Sequence, residues 1–355
     1  MLQNEWSKSL NIEYPIIQAP MAGGITTPQL VAAVSNAGGL GMIGAGYLNP
    51  DQTRQLIREV KALTRKPFGI NLFIPEQCVA NEEQIRKANE RLQKYREDLN
   101  IRSETPILHN KSGYEEQVNI ILEEEVPVCS FTFGLPSEDV VTKLKSAGIY
   151  LMGTATTVTE SILVEQLGMD VVVAQGSEAG GHRGTFLEKP EMSLIGLMSL
   201  VPQMVDQVNL PVIAAGGIMD ERGLMAALCL GAKGVQMGTA FLTCKESGAH
   251  ELYKKAIMNV PEDETVLTTV FSGKHARGIN NQFIKEMSKY ESELLGYPFQ
   301  NTLTKEIRKA AGEQNKPNFM SLWSGQSPRL SKNLTAAELI QQIVDRCKNI
   351  GDSMK

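Results

Sequence analysis

The chain alternates between short runs of apolar or β-branched residues and longer stretches in which apolar and polar positions recur with helical spacing. This alternation is typical of βαβ units that build a parallel sheet. The runs with the length and composition of strands are residues 14–19, 40–43, 68–73, 126–131, 149–152, 170–174, 212–215 and 234–237. Eight parallel strands close a barrel, so the pattern predicts a (β/α)8 TIM barrel.

The stretches between these strands carry the start and stop signals of helices. They predict helices over residues 27–36, 50–63, 136–146, 158–167, 193–208 and 220–230. In the first of them, Thr27 is suited to cap the helix and Pro28 to occupy its first position. Gly148, Gly168 and Gly231 stand where glycine commonly ends a helix.

Two segments interrupt this rhythm. Residues 75–112 follow the third strand, are rich in charged and amide side chains, and include a helical pattern at 81–97, which predicts a helical insertion. Residues 240–355 are far longer than one barrel helix and predict an extended helical region. We expect parts of this extension, 273–281 and 321–328, to fold back over the catalytic face. The chain 1–355 is interpreted as one domain with both segments packed on it.

Residues 39–44 read Gly-Leu-Gly-Met-Ile-Gly and match the GxGxxG fingerprint of dinucleotide-binding folds. That fingerprint requires a strand before it and a helix that opens inside it. Here a helix precedes the glycines, and they lie in and around a strand. The context therefore opposes the dinucleotide-binding interpretation.

The charge and composition of the chain argue against several classes of binding partner. The formal net charge is -5 and no dense run of Lys or Arg occurs, which argues against a nucleic-acid or anionic membrane surface as partner. No stretch approaches the ~20 apolar residues of a membrane span, and the first residues lack the apolar core of a secretory signal. A cytoplasmic protein with a small-molecule substrate is expected. The five cysteines are scattered without a CxxC pair, so no metal site is predicted.

Small residues follow the seventh and eighth strands, where barrels commonly bind phosphate. Gly216 and Gly217 follow the seventh strand, and the eighth ends in Gln236, Met237, Gly238 and Thr239. Glycine lets the backbone approach phosphate oxygens, and the Thr239 hydroxyl can add a hydrogen bond. A pair of tight turns is the structural alternative.

The most unusual segment is 175–184, directly after the sixth strand. Gln175 begins it, and Gly180 and Gly181 precede a single imidazole, His182. A loop so rich in glycine can press its backbone against a planar ligand and present His182 to a substrate. A solvated loop histidine is the alternative. Of the four histidines, only His182 stands at the end of a predicted strand.

Two further strands carry residues that could contact a bound ligand. Ala19, Pro20 and Met21 follow the first strand, and Asn71 is a polar residue within the apolar third strand. A buried amide needs hydrogen-bond partners, which a bound ligand can supply. Bridging between strands is an equally good account of Asn71.

With these motifs the chain resembles the FMN-dependent nitronate monooxygenases, from residues 15–21 through 278–280. The segment 176–184 is the most specific part of the resemblance. It implies FMN as cofactor, His182 as the catalytic residue, and oxidation of alkyl nitronates such as propionate 3-nitronate with O₂ to a carbonyl compound and nitrite. The residues implied to contact FMN are Ala19, Pro20, Met21, Asn71, Gln175, Gly180, Gly181, Gly216, Gly217, Gln236, Met237, Gly238 and Thr239.

The same pattern is shared with FMN-containing enoyl-acyl carrier protein reductases, which are the rival enzyme class. The charged insertion and the residue identities at positions 180–186 are more similar to those of the monooxygenases than to those of the reductases. Thr132 departs from the His that stands there in some members. A flavin-binding barrel without enzymatic activity is a third interpretation, and a homo-oligomer is compatible with all three.

Overall fold

The computed structural model describes residues 2–76, 78–102, 113–187 and 190–353. Its strands, in chain order, are β1 (Ile16–Gln18), β2 (Gly41–Gly44), β3 (Phe68–Phe73), β4 (Val128–Thr132), β5 (Tyr150–Ala155), β6 (Val171–Gln175), β7 (Gly181–His182), β8 (Val212–Ala215), β9 (Gly234–Met237), β10 (Thr265–Thr268) and β11 (Ala276–Ile279). Its α-helices are α1 (Glu5–Ser9), α2 (Pro28–Asn36), α3 (Pro50–Leu63), α4 (Glu82–Asp98), α5 (Tyr114–Glu123), α6 (Glu138–Ser146), α7 (Val158–Gln166), α8 (Leu197–Gln207), α9 (Glu221–Cys229), α10 (Thr239–Leu242), α11 (Glu251–Asn259), α12 (Gln282–Met287), α13 (Phe299–Glu313) and α14 (Ala336–Ser353).

Eight parallel strands form the barrel in the order β1-β9-β8-β6-β5-β4-β3-β2. A bridge between Ile17 and Leu40 joins β1 to β2, and the Gln18 N–H donates to the Leu40 carbonyl at 3.0 Å. The predicted (β/α)8 fold is therefore confirmed, with each predicted strand displaced by three residues or fewer at either end.

Successive residues of a barrel strand point alternately outward, towards the helices, and inward, into the barrel, because side chains in a strand have a period of two. Ile16 packs outward against the helices, whereas Ile17 lies in the barrel interior beside Met42 and Met152. Trp6, in α1, belongs to the same interior cluster and covers the amino-terminal end of the barrel. This packed lower half leaves the carboxyl ends of the strands to form a site.

The glycines of residues 39–44 lie before and within β2, with α2 preceding them, as the sequence context indicated. Gly41 begins β2 and lies against the backbone of α2, where an added Cβ would collide with the carbonyl of Val31. The helix predicted to start at residue 193 starts at Leu197, because residues Pro190–Ser193 form a separate 3-10 turn.

The insertion and the extension share a second apolar cluster beside the barrel. In the insertion, α4 directs Tyr95 onto Phe283 and Phe319, with ring centroids 4.7 and 5.9 Å apart. Arg96 of α4 also forms an ion pair with Glu306 of α13 at 2.6 Å. Residues 103–112 of the predicted insertion lie outside the described residues.

The extension ends by returning to the barrel. Its last helix, α14, packs against α2 and α9 with Leu339, Ile340 and Ile343 buried. It thus occupies the place of the last barrel helix, which the sequence pattern did not assign to any segment. No helix in the described part of the chain combines the length and apolar character needed to cross a membrane.

Candidate active site

The carboxyl ends of the barrel strands surround a cavity of about 1240 Å³, counting the part open to solvent. Barrel loops supply most of its wall, and the extension supplies Leu242, Tyr253, Trp323, Gly325 and Ser327. The prediction that residues 321–328 fold back over this face is confirmed. None of the described residues that line the cavity carries an Asp, Glu, Lys or Arg side chain.

A row of neutral polar side chains lies at the ends of β3, β4 and β5. The Asn71 amide donates to Ser130 Oγ at 2.9 Å and to Thr132 Oγ1 at 3.1 Å, and Thr132 Oγ1 lies 3.5 Å from Thr154 Oγ1. Asn71 therefore bridges β3 to β4 and also lines the cavity. Its Oδ1 atom has no partner among the described residues and is available to a ligand.

The loops after β8 and β9 present unused backbone donors. Gly216 and Gly217 have φ values of +135° and +65°, a region that L side chains rarely adopt. The N–H groups of Gly216, Gly217 and Gly238 have no acceptor among the described residues, although all three residues line the cavity. Backbone donors of this kind require a partner, and a cluster of them suits an anion. Thr239 Oγ1 accepts a hydrogen bond from the N–H of Gly325 at 3.0 Å.

Two buried arginines support the glycine-rich loop after β6. Arg183, 1% exposed, donates to the carbonyls of Gly176 at 2.6 Å and Ser193 at 2.8 Å. Arg277 donates to the carbonyl of Ser177 at 3.0 Å. Buried guanidinium groups are costly unless hydrogen-bonded, so these contacts fix the loop backbone.

His182 lies in β7, which pairs with β11 of the extension. Gln175 donates to the His182 carbonyl at 3.1 Å, and His182 Nε2 lies 2.8 Å from Ser272 Oγ. The half-buried imidazole packs beside Phe133 and Trp323, with ring centroids 5.8 and 5.4 Å away. It is held by partners on several sides and is not a solvated loop histidine.

The environment of His182 favours its neutral form. Burial, followed by the positive charges of Arg308 and Lys274, lowers the pKa of His182 to about 3. A neutral imidazole can accept a proton at neutral pH without first losing one.

Comparison with known proteins identifies the group to which this fold and site belong. The sequence profile described as "Nitronate monooxygenase" matches residues 4–346. The chain belongs to the nitronate monooxygenase family. It is 50% identical to a probable nitronate monooxygenase of Staphylococcus haemolyticus strain JCSC1435, over 98% of each chain.

Solved structures agree with this assignment. The chain is similar to the nitroalkane oxidase of Streptomyces ansochromogenes, with a TM-score of 0.93 and 37% identity over 99% of this chain and 100% of the other. It is less similar to FabK of Thermotoga maritima, with a TM-score of 0.79 and 31% identity over 100% and 99%. Membership of the nitronate monooxygenase family makes the protein an oxidoreductase that acts on a small molecule, and it implies a flavin cofactor.

The fold brings together nearly all the residues singled out from the sequence. Those that line the cavity are Ala19, Pro20, Met21, Asn71, Gln175, Gly180, Gly181, His182, Gly216, Gly217, Gln236, Gly238 and Thr239. Met237 does not line it, because its side chain is 1% exposed within the core between barrel and helices. Its carbonyl instead accepts the N–H of Ala19 at 2.9 Å.

Sequence reasoning missed several residues of the site. Tyr47, three residues beyond β2, lines the cavity and could have been found as a polar aromatic residue at a strand end. Trp323, one of two tryptophans, lies in a segment already expected over this face. Ser272 carried no comparable signal, since only the tertiary fold brings it to His182.

Proposed function

We propose that this protein is an FMN-dependent nitronate monooxygenase that oxidises alkyl nitronates with O₂ to a carbonyl compound and nitrite. One observation carries the proposal: a neutral His182 and a group of unused backbone donors line the same uncharged cavity. A cytoplasmic location and a homo-oligomer remain predictions from the sequence.

The cavity suits a flavin mononucleotide. The N–H groups of Gly216, Gly217 and Gly238, together with the Thr239 and Ser327 hydroxyls, form a set of phosphate ligands without a cation. Asn71, whose Oδ1 atom has no partner among the described residues, offers an amide group to the polar edge of an isoalloxazine ring. Gln175 also lines the cavity, with its amide held by the His182 carbonyl and the Gly184 N–H. When bound, the flavin supplies the electron transfer, and the protein supplies orientation and electrostatics.

In the reaction the protein itself stabilises the negative charge of the substrate and, where needed, accepts its α-proton. The positive charge of Arg308 and that of Lys274, which is ion-paired with Glu76, act electrostatically on His182. This positive potential favours an anion such as a nitronate. A nitronate has already lost its α-proton and needs orientation only. From a neutral nitroalkane, His182 accepts the α-proton and becomes an imidazolium beside the new nitronate.

The decisive experiment mixes the purified flavoprotein anaerobically with propionate 3-nitronate and follows the absorbance of the flavin. We expect reduction of the flavin without pyridine nucleotide, and slow or no reduction by NADH or NADPH alone. Reoxidation in air should release nitrite, and the flavin freed by denaturation should be the mononucleotide.

The rival enzyme class gives the opposite result. Rapid reduction by NADH with consumption of a crotonyl thioester would identify an enoyl reductase and contradict the proposal. A protein that holds the dinucleotide, or that holds no flavin after reconstitution, would contradict the assignment of FMN.

A further inference from the structure

Ser272 is a buried residue whose hydroxyl contacts the His182 ring and which is not among the residues that line the cavity. It lies between β10 and β11, is 1% exposed, and is separated from His182 by 90 positions in the sequence. The distance from Ser272 Oγ to His182 Nε2 is 2.8 Å, that of a good hydrogen bond. Either atom could be the donor, and the direction decides which nitrogen of His182 carries the proton.

The other contacts of Ser272 favour one direction. Its hydroxyl donates to the Lys274 carbonyl at 3.0 Å, and it accepts the Lys274 N–H at 3.3 Å. Within the described residues no second donor reaches the Lys274 carbonyl. Because a serine hydroxyl has one proton, it then has only a lone pair left for His182. The proton between the two side chains therefore belongs to His182 Nε2.

The opposite arrangement leaves groups unsatisfied. If Ser272 donated to Nε2, the Lys274 carbonyl would lose its donor, and the proton would sit on His182 Nδ1. That Nδ1 atom has no hydrogen-bond partner among the described residues, yet it is not one of their fully buried unpaired atoms. Since the ring lines the cavity, Nδ1 is the nitrogen that a substrate can reach.

We propose that Ser272 is a positioning residue that holds His182 in the Nε2–H tautomer and leaves the Nδ1 lone pair for the α-proton of a neutral nitroalkane. The kinetic part of this inference rests on the proposed function. In the step, the Nδ1 lone pair binds the proton, the electrons of the C–H bond form the C=N bond of the nitronate, and the π electrons of one N=O bond move onto its oxygen. The imidazolium keeps its Nε2–H bond to Ser272, which accepts it more strongly once the ring is charged.

The tautomer can be observed directly in the flavoprotein labelled with ¹⁵N-histidine. The chain has four histidines, so the His182 signals can be assigned by their loss in His182→Gln. We expect a neutral ring with a protonated Nε2 and an unprotonated Nδ1, and a mixture of tautomers in Ser272→Ala. A ring protonated at Nδ1 in the unaltered protein, or an unchanged tautomer in Ser272→Ala, would overturn the proposal.

Kinetics supply the second readout. Ser272→Ala should lower kcat for neutral nitroethane by roughly 10-fold, the low end of the losses seen when a group that orients a metal-bound histidine is removed. Turnover of the preformed nitronate should change far less, because it needs no base. Ser272→Thr keeps the hydroxyl and should restore most of the nitroethane activity.

A matched control is Ser161→Ala, since Ser161 is also fully buried and its hydroxyl donates to the Val158 carbonyl on α7, away from the cavity. It should leave the ratio of the two activities unchanged. Equal losses with both substrates in Ser272→Ala, unrescued by Ser272→Thr, would indicate a merely structural role and overturn the proposal. If the tautomer behaves as expected but no nitro compound is oxidised, the proposed function fails and the assignment of the tautomer stands.

Discussion

At the scale of single residues, the depressed pKa of His182 makes a definite prediction about pH. An ordinary histidine, with a pKa of ~6.5, gains a proton as the pH falls below neutrality and ceases to act as a base. The pKa of His182 is about 3, so its base form persists over the whole weakly acidic range. We expect kcat/KM for neutral nitroethane to stay level between pH 8 and 5, measured by nitrite release. A tenfold fall per pH unit below ~6.5 would contradict this environment.

Substitution of His182 separates its two roles. His182→Asn should reduce turnover of neutral nitroalkanes by ~10²-fold or more, the usual scale for loss of a general base. Nitronate turnover should also fall, with a higher KM, because the ring orients the anion. Flavin content should stay near normal, since the proposed phosphate ligands are backbone groups in other loops. The control is His275→Asn, whose ring contacts exposed Glu191 and lies outside the cavity lining. A His182→Asn protein that is fully active with both forms would show the assignment to be wrong.

At the scale of elements, the loop between β6 and α8 depends on the buried guanidinium of Arg183. Arg183→Met would remove the donors to the carbonyls of Gly176 and Ser193 and leave these acceptors without that partner. We expect a loss of about 1–3 kcal/mol in the free energy of unfolding for each buried carbonyl left without a donor. Flavin content at a fixed protein concentration should also fall, because the loop lines the cavity.

Denaturant unfolding and flavin absorbance would measure both effects. Arg86→Ala is the control, because Arg86 forms an exposed ion pair with Glu90 one turn along α4, and such pairs contribute little. An Arg183→Met protein with normal stability and full flavin would show that the loop is fixed by other contacts.

The sequence was sufficient for the barrel strands because they are short, apolar on both faces and bounded by glycine or proline. It was insufficient for β7, whose two residues become a strand only by pairing with β11.

The position of Met237 could have been predicted from the alternation of side chains along a strand, but this rule was not applied. Alternate residues of a strand face opposite sides, so Gln236 in the cavity requires Met237 in the outer core. At the site, conspicuous glycines and one imidazole were found and Tyr47 was overlooked, whereas Ser272 required the three-dimensional fold.

At the scale of the whole molecule, we propose that barrel, insertion and extension unfold as one domain. The test is α14, since Ile340 is 1% exposed and packs where α14 meets the barrel helices. Ile340→Ala should destabilise the protein by about 2–5 kcal/mol. Calorimetry should show a single transition, shifted to lower temperature together with release of the flavin. Gln341→Ala, on the exposed side of the same helix, should have little effect. Two separated transitions would show that the extension is an independent unit.

Because α14 completes the ring of helices around the barrel, its late position in the chain affects how the protein folds during synthesis. During synthesis all eight barrel strands leave the ribosome before α14, and β1 waits for β9 before it has both neighbours. Contacts so distant in sequence form slowly, because the intervening chain must first be ordered. Until then the apolar surface of α2 and α9 that α14 covers stays open to water, and exposed surface of this kind promotes aggregation and attracts chaperones. The nascent chain is therefore prone to aggregation until α14 docks on the barrel.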